Sequence, residues 1–240
     1  MATNNIFDRR SYDRKLFLWA AIGFAVLAFA GFAQTYYLKP VLASLPLRTI
    51  THIHGMVMTV WVLFFIAQVF LIRAKSVVLH MRLGWIGVAL AALVVITGVL
   101  TSIQAAKFGS VASPPDIPPL QFMIVPIGDM VVFAIFFGAA IYYRKSFPEH
   151  KRMMLMTAFT IIPAAVARLP YAPMAELGPL WFYGFPDLLM LIILGIDSWK
   201  NGMINRAFAI GVAFLIASHV FRLMFMSSAA WMSVATWLIS

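Results

Sequence analysis

The sequence contains no cysteine. This absence excludes disulfide bonds, zinc–thiolate and iron–sulfur centres, and a thiol nucleophile. Any bound metal ion or haem would have to be held by histidine, carboxylate, methionine, tyrosine or water.

Charged residues are also scarce, at 11% of the 240 residues, whereas about 25% is usual for a soluble domain. Hydrophobic residues make up 63% of the chain, and the mean hydropathy is +0.93. This composition excludes an ordinary soluble globule and also intrinsic disorder, which requires low hydrophobicity. Long apolar runs separated by short polar patches predict a polytopic all-α membrane protein.

Acidic residues are few, which leaves a formal net charge of +10. The basic residues flank the apolar runs, so we expect them to meet anionic lipid headgroups and to set topology. They form no basic soluble surface, and no nucleic-acid partner is predicted.

Seven segments are apolar enough to cross a bilayer, which takes about 20 helical residues. Residues 1–240 are predicted to form one membrane domain. In it, a short interfacial helix near Ala229–Leu238 follows the seven spans. Lys107–Pro119 is the one extended connection. The predicted spans are Leu16–Leu38, Ile50–Ile72, Leu83–Ile103, Leu120–Tyr143, Met153–Leu169, Pro179–Ile196 and Ala207–Met226.

The distribution of Lys and Arg predicts the orientation of this bundle. Of the 18 basic residues, 13 lie in the N-terminal arm and in the second, fourth and sixth connections, and 5 lie on the opposite side. Cytoplasmic flanks carry the excess of Lys and Arg. The N-terminus is therefore predicted to be cytoplasmic.

A His-x-Arg string occurs twice at the predicted cytoplasmic rim, as His80 with Arg82 and as His150 with Arg152. A helix N-terminus offers free N–H groups and a positive partial charge there. These four residues are candidate anion or lipid-phosphate ligands, although interfacial anchoring together with topology is the simpler explanation.

Ionisable residues inside the spans concentrate in the predicted outer half. Such residues are costly in a bilayer and usually face the bundle interior or a cavity. Counted at 1.5 Å per residue, all lie within about 13 Å of the outer ends. They are His54, Asp129, Arg168, Asp187, His219 and Arg222.

His54 and His219 lie at similar depth on different spans and are predicted to meet across the bundle. Such a pair can ligate haem b, with Arg168 and Arg222 holding propionates or other anions. Adding His52 and a carboxylate from Asp129 or Asp187 would make a divalent metal site, and a quinone is the third candidate cofactor. The same residues are also explained by buried ion pairs that fix helix packing.

Short strings spread over nearly the whole chain carry a family resemblance: Gly31–Leu38, His52–Gly55 with Trp61 and Gln68, Leu79–Trp85, His150–Met154, Arg168–Pro170, Asp187 and Asp197. With these residues the chain resembles a family of bacterial seven-span inner-membrane proteins of uncharacterised activity. The resemblance implies the membrane architecture and the bacterial inner membrane, and it brings no catalytic residues. Asn205 departs from it, since a His often fills that rim position. Histidines in two layers also give a looser likeness to b-type transmembrane cytochromes.

The leading functional prediction is thus an inner-membrane protein with a polar His/Asp/Arg site in its outer half. The alternatives are a non-catalytic subunit packed against other membrane protein subunits, and a small carrier that uses Asp129 as its proton-coupling group. No residue is assigned a catalytic role, and whether the chain is an enzyme is left open.

Overall fold

Apolar runs of bilayer length fold as long helices packed side by side. The computed structural model describes residues 2–39, 47–109 and 116–240. The predicted connection Lys107–Pro119 falls partly outside these ranges. In chain order the helices are α1 (Ala2–Phe32), α2 (Thr49–Arg73), α3 (Val77–Phe108), α4 (Pro119–Phe122), α5 (Ile124–Tyr142), α6 (Phe147–Val166), α7 (Ala172–Ala175), α8 (Phe185–Asn201), α9 (Arg206–Phe225) and α10 (Ala229–Ile239). A π-helical turn, Ala33–Tyr37, extends α1, and a second, Leu180–Gly184, precedes α8.

Six helical segments in the described ranges are long and apolar enough to cross a membrane. Each overlaps a predicted span, and fewer than half of the residues in the most apolar stretch of each are buried inside the protein. This is the architecture of a multi-pass integral membrane protein. The six segments are Lys15–Tyr37, Thr49–Arg73, Val77–Phe108, Pro119–Tyr142, Leu180–Asn201 and Arg206–Phe225.

The fifth predicted span, Met153–Leu169, is the one that falls short of this criterion. The helix there is α6, which carries Glu149, Lys151 and Arg152 in its first two turns. Most of α6 is buried, because α1, α5, α8 and α9 pack around it. A helix enclosed by other helices can be less apolar than one that faces lipid. A hydropathy criterion therefore underestimates the ability of α6 to lie within the membrane.

Packing against α6 depends on a small residue in α1. A Cβ at Gly31 would overlap the backbone carbonyl of Ala165. The backbones of the two helices are therefore in direct contact, as small residues allow in membrane bundles.

The predicted C-terminal helix is confirmed as α10. The Ser228 side chain caps it by accepting a hydrogen bond from the Trp231 backbone N–H at 3.1 Å. The Trp231 indole N–H donates to the Leu120 carbonyl at 2.9 Å, and α10 packs on α3 and α4. The end of the chain is thus fixed to the end of the bundle where α3 ends and α5 begins.

Candidate functional site

Asp129 of α5 and Arg222 of α9 form a buried ion pair at the end of the bundle where α8 begins. The side chains of Asp129 and Arg222 are 7% and 4% exposed. Arg222 also donates to the Val125 carbonyl at 2.9 Å and to the Ser218 carbonyl at 3.0 Å. A Cβ at Gly128 would overlap the Arg222 side chain, so a glycine provides the space for it. The charge and most donors of this guanidinium are used within the protein.

His219 of α9 pairs with Asp187 in the first turn of α8. The His219 Nδ1 lies 3.0 Å from Asp187 Oδ1 and 3.1 Å from Oδ2. A carboxylate only accepts, so the contact favours a proton on Nδ1 and leaves Nε2 as an acceptor in the neutral imidazole. His219 is 2% exposed.

Tyr183 joins the two pairs. Its ring stacks on the His219 ring with centroids 4.0 Å apart and planes inclined by 16°. The Arg222 guanidinium lies 5.3 Å from the centroid of the same ring. Tyr183 belongs to the π-helical turn Leu180–Gly184, and π-turns occur frequently at functional sites. We call Asp129, Tyr183, Asp187, His219 and Arg222 the five-residue cluster.

The cluster contains buried polar atoms that have no hydrogen-bond partner in the part of the chain that the structure describes. They are the Tyr183 hydroxyl and His219 Nε2, while Asp187 Oδ1 has only the ion-pair contact with His219 Nδ1. Leaving such a group unpaired costs about 1–3 kcal/mol, and most buried polar groups in native structures are paired. An arrangement that keeps several of them together is suited to a further hydrogen-bonding molecule.

His54 lies in a different environment from His219. Thr97 donates its hydroxyl proton to the Leu93 carbonyl at 2.7 Å. Its oxygen is therefore free to accept from His54 Nδ1, 3.0 Å away. The hydrogen bonds and ring contacts of His54 do not include His219 or Asp187. The expected contact between the two histidines is thus replaced by separate pairs, His54 with Thr97 and His219 with Asp187.

The predicted metal ligands are divided in the same way. His52 is exposed, with its ring centroid 5.9 Å from that of Tyr36. Among the described residues, no group of three or more His, Asp or Glu side chains could hold a metal ion.

Arg168 follows α6 and is half-buried. It donates to the Ala164 carbonyl, and its guanidinium lies 4.7 Å from the centroid of the Phe32 ring. Asp187 could have paired with Arg168 by charge, but it is hydrogen-bonded to His219 instead. Arg168 is therefore separate from the five-residue cluster.

The four predicted rim residues at the opposite end of the bundle do not form one site. Arg152 is 4% exposed and forms an ion pair with Asp197 at 2.8 Å. It does not face outward to a lipid phosphate. Arg82 is exposed, while the rings of His80 and His150 lie with their centroids 6.2 Å apart.

Tyr183, which stacks on His219, and Asp197, which pairs with Arg152, were not predicted as site residues. Tyr183 stands four positions before Asp187, a spacing that places both on one helical face. Asp197 is an acidic residue within an apolar helix, which usually marks a buried partner.

No family model matches the chain, and the comparisons with curated proteins and with solved structures give no significant match. Function is therefore inferred from the geometry of the chain's own residues.

Proposed function

We propose that the protein is a seven-span membrane protein of the bacterial inner membrane, with a cytoplasmic N-terminus and α6 as its central span. Twenty residues of α6 extend over about 30 Å, the thickness of the hydrocarbon core. The excess of basic residues at the ends near Arg144 and Lys200 supports the orientation.

A cysteine-free chain allows this topology to be tested with single cysteines. Lys145 lies between α5 and α6, and Ser227 lies between α9 and α10; both are exposed. In intact spheroplasts, Ser227→Cys should react with an impermeant maleimide, and Lys145→Cys should react only after permeabilisation. If α6 does not span, the two positions share a side and will label together.

For the five-residue cluster we propose the binding of a quinone or quinol head group. The observation that carries this proposal is the pair of unpartnered neutral atoms, the Tyr183 hydroxyl and His219 Nε2. The cluster has no cationic group free to bind an anion, because Arg222 is paired with Asp129 and the neutral His219 donates its Nδ1 proton to Asp187. A ligand there needs hydrogen-bonding groups and no net charge.

The surroundings favour a lipid-soluble ligand. Tyr183 belongs to a buried apolar group that includes Met123, Ile124 and Trp231. Binding sites for small molecules are typically apolar with a few convergent polar groups. An aromatic ring that carries carbonyl or hydroxyl oxygens meets both requirements.

The hydrogen-bonding roles follow from the neighbours. Tyr183 donates its hydroxyl proton to a ligand oxygen. His219 Nε2 accepts from a ligand hydroxyl, and Asp187 stabilises the imidazolium whenever the proton moves to His219. Haem is less well matched, because Arg222 is held by Asp129, Val125 and Ser218 and is not free for a propionate.

Quinones extracted from the purified protein test the proposal. Protein prepared from native membranes in mild detergent should carry close to one quinone per chain. His219→Gln should lose most of it, while the control His52→Gln, at an exposed histidine, should retain it. An absence of quinone from the wild type, or equal amounts in the two variants, contradicts the proposal. A Soret band in the same sample would favour haem.

A further inference from the structure

A second cluster of polar side chains lies at the opposite end of the bundle from the five-residue cluster. It comprises Gln68 near the end of α2, His80 near the start of α3 and His150 near the start of α6. The rings of His80 and His150 are inclined by 80° with centroids 6.2 Å apart. All three side chains are half-buried.

The protonation of His150 follows from its backbone contact. Its Nδ1 lies 2.8 Å from the carbonyl oxygen of Ala140. A carbonyl oxygen only accepts, so Nδ1 carries the proton and the neutral ring presents a lone pair at Nε2. Metal-binding histidines are commonly held by this contact between one ring N–H and a backbone carbonyl.

His80 presents the opposite nitrogen. The Gln68 backbone lies against this ring, and Nδ1 is buried with no hydrogen-bond partner among the described residues. Nδ1 is therefore free to act as a ligand. The two imidazoles together offer one free nitrogen each.

Gln68 adds an oxygen to this set. Both polar atoms of its side chain, Oε1 and Nε2, are buried and unpartnered within the described ranges. Since unpaired buried polar groups are uncommon, an amide with both polar atoms unpartnered is available to a ligand. The amide oxygen is a suitable third donor.

The available groups suit a cation better than an anion. Arg152 is engaged by Asp197 and by the Pro148 carbonyl, 2.7 Å away. Two imidazole nitrogens and an amide oxygen form an acceptor set of the kind that binds zinc, copper or nickel. With metal–nitrogen bonds of about 2.0–2.1 Å, two imidazoles on one ion have ring centroids about 5.2 Å apart at a tetrahedral angle and about 6.4 Å apart in a linear arrangement. The observed separation of 6.2 Å lies between these values, so a tetrahedral ion would draw the two rings closer by about 1 Å.

We propose that His80 Nδ1, His150 Nε2 and Gln68 Oε1 bind one divalent transition-metal ion, with water completing the coordination. The ion would link α2, α3 and α6 at this end of the bundle. The site is independent of the quinone proposal, because it shares no residue with the five-residue cluster.

Zinc binding to the full chain tests the site. The protein is purified in mild detergent with a tag that lacks histidine, stripped with a chelator and titrated with Zn²⁺. The wild type should bind one Zn²⁺ per chain and melt at a higher temperature with it. His80→Asn and His150→Asn should each weaken binding at least tenfold, and the control His52→Asn should leave it unchanged.

Gln68→Glu distinguishes a lost ligand from a damaged fold. A carboxylate is a stronger ligand than an amide, so this variant should bind Zn²⁺ more tightly, a gain that misfolding cannot produce. Failure of the wild type to bind Zn²⁺, equal losses in His52→Asn and His80→Asn, or no gain in Gln68→Glu overturns the proposal. Stabilisation by inorganic phosphate in place of Zn²⁺, dependent on His80 and His150, would assign the site to an anion.

Discussion

The guanidinium of Arg152 and the carboxylate of Asp197 face each other in the interior of the bundle, with Nε 2.9 Å from Oδ2 and Nη2 2.8 Å from Oδ1. The side chains are 4% and 0% exposed. Removing one partner leaves an unmatched buried charge, which typically costs about 3–5 kcal/mol. Asp197→Ala should lower the free energy of unfolding by about this amount, measured by denaturation in detergent.

A paired substitution provides the control for this ion pair. Arg152→Met combined with Asp197→Leu removes both charges and keeps most of the volume. The double variant should be more stable than Asp197→Ala, because apolar replacements of buried ion pairs are often neutral. Equal stability of Asp197→Ala and the wild type would show that the pair is not buried as described.

Gly31 in α1 should tolerate no side chain. A Cβ there overlaps the Ala165 carbonyl, whereas a Cβ at Gly23 in the same helix meets nothing within 4 Å. Overpacking typically costs about 1–3 kcal/mol, so Gly31→Ala should lower the melting temperature and Gly23→Ala should not. A melting temperature that is the same for both variants would argue against close packing of α1 on α6.

Gly128 in α5 provides space for the Arg222 side chain, while Gly138 in the same helix has open space beside it. Gly128→Ala should therefore displace Arg222 from Asp129 and reduce the quinone content of the purified protein. Gly138→Ala should leave the content unchanged. Full quinone content in Gly128→Ala would show that quinone binding does not depend on the ion pair between Asp129 and Arg222.

Trp231 should fix α10 to the bundle. It is 8% exposed and donates to the Leu120 carbonyl, whereas Trp237 in the same helix is 74% exposed. Trp231→Ala removes a buried aromatic side chain, which typically costs about 3–5 kcal/mol. It should make α10 accessible to limited proteolysis, and Trp237→Ala should resemble the wild type. Resistance of both variants to protease would show that the indole does not hold α10.

The long helices could be predicted to within a few residues because a bilayer requires runs of about 20 apolar residues. Hydropathy placed α6 correctly along the chain, but it could not indicate that Arg152 would be enclosed by other helices. Burial by neighbours is a tertiary property, and a window of sequence does not contain it.

The candidate site was predicted less completely. Sequence gives the depth of His54 and His219 in the membrane, but not the direction in which each ring points or which helices are neighbours. The pairing of Asp187 with His219, in place of Arg168, follows from the contact between α8 and α9. Tyr183 was overlooked because it lies in the aromatic run Trp181–Tyr183, which resembles an ordinary membrane-interface belt.

Calorimetric titration of a short-chain ubiquinone analogue into detergent-solubilised protein tests the central claim most directly. Tyr183→Phe removes one hydroxyl and keeps the ring that stacks on His219, and Tyr142→Phe is the matched control at a side chain that is 77% exposed. A lost hydrogen bond of about 0.5–1.5 kcal/mol corresponds to roughly two- to tenfold weaker binding. Weakening in Tyr183→Phe alone is the expected result. Equal affinity in both variants, or no binding to the wild type, would contradict a quinone site between Tyr183 and His219.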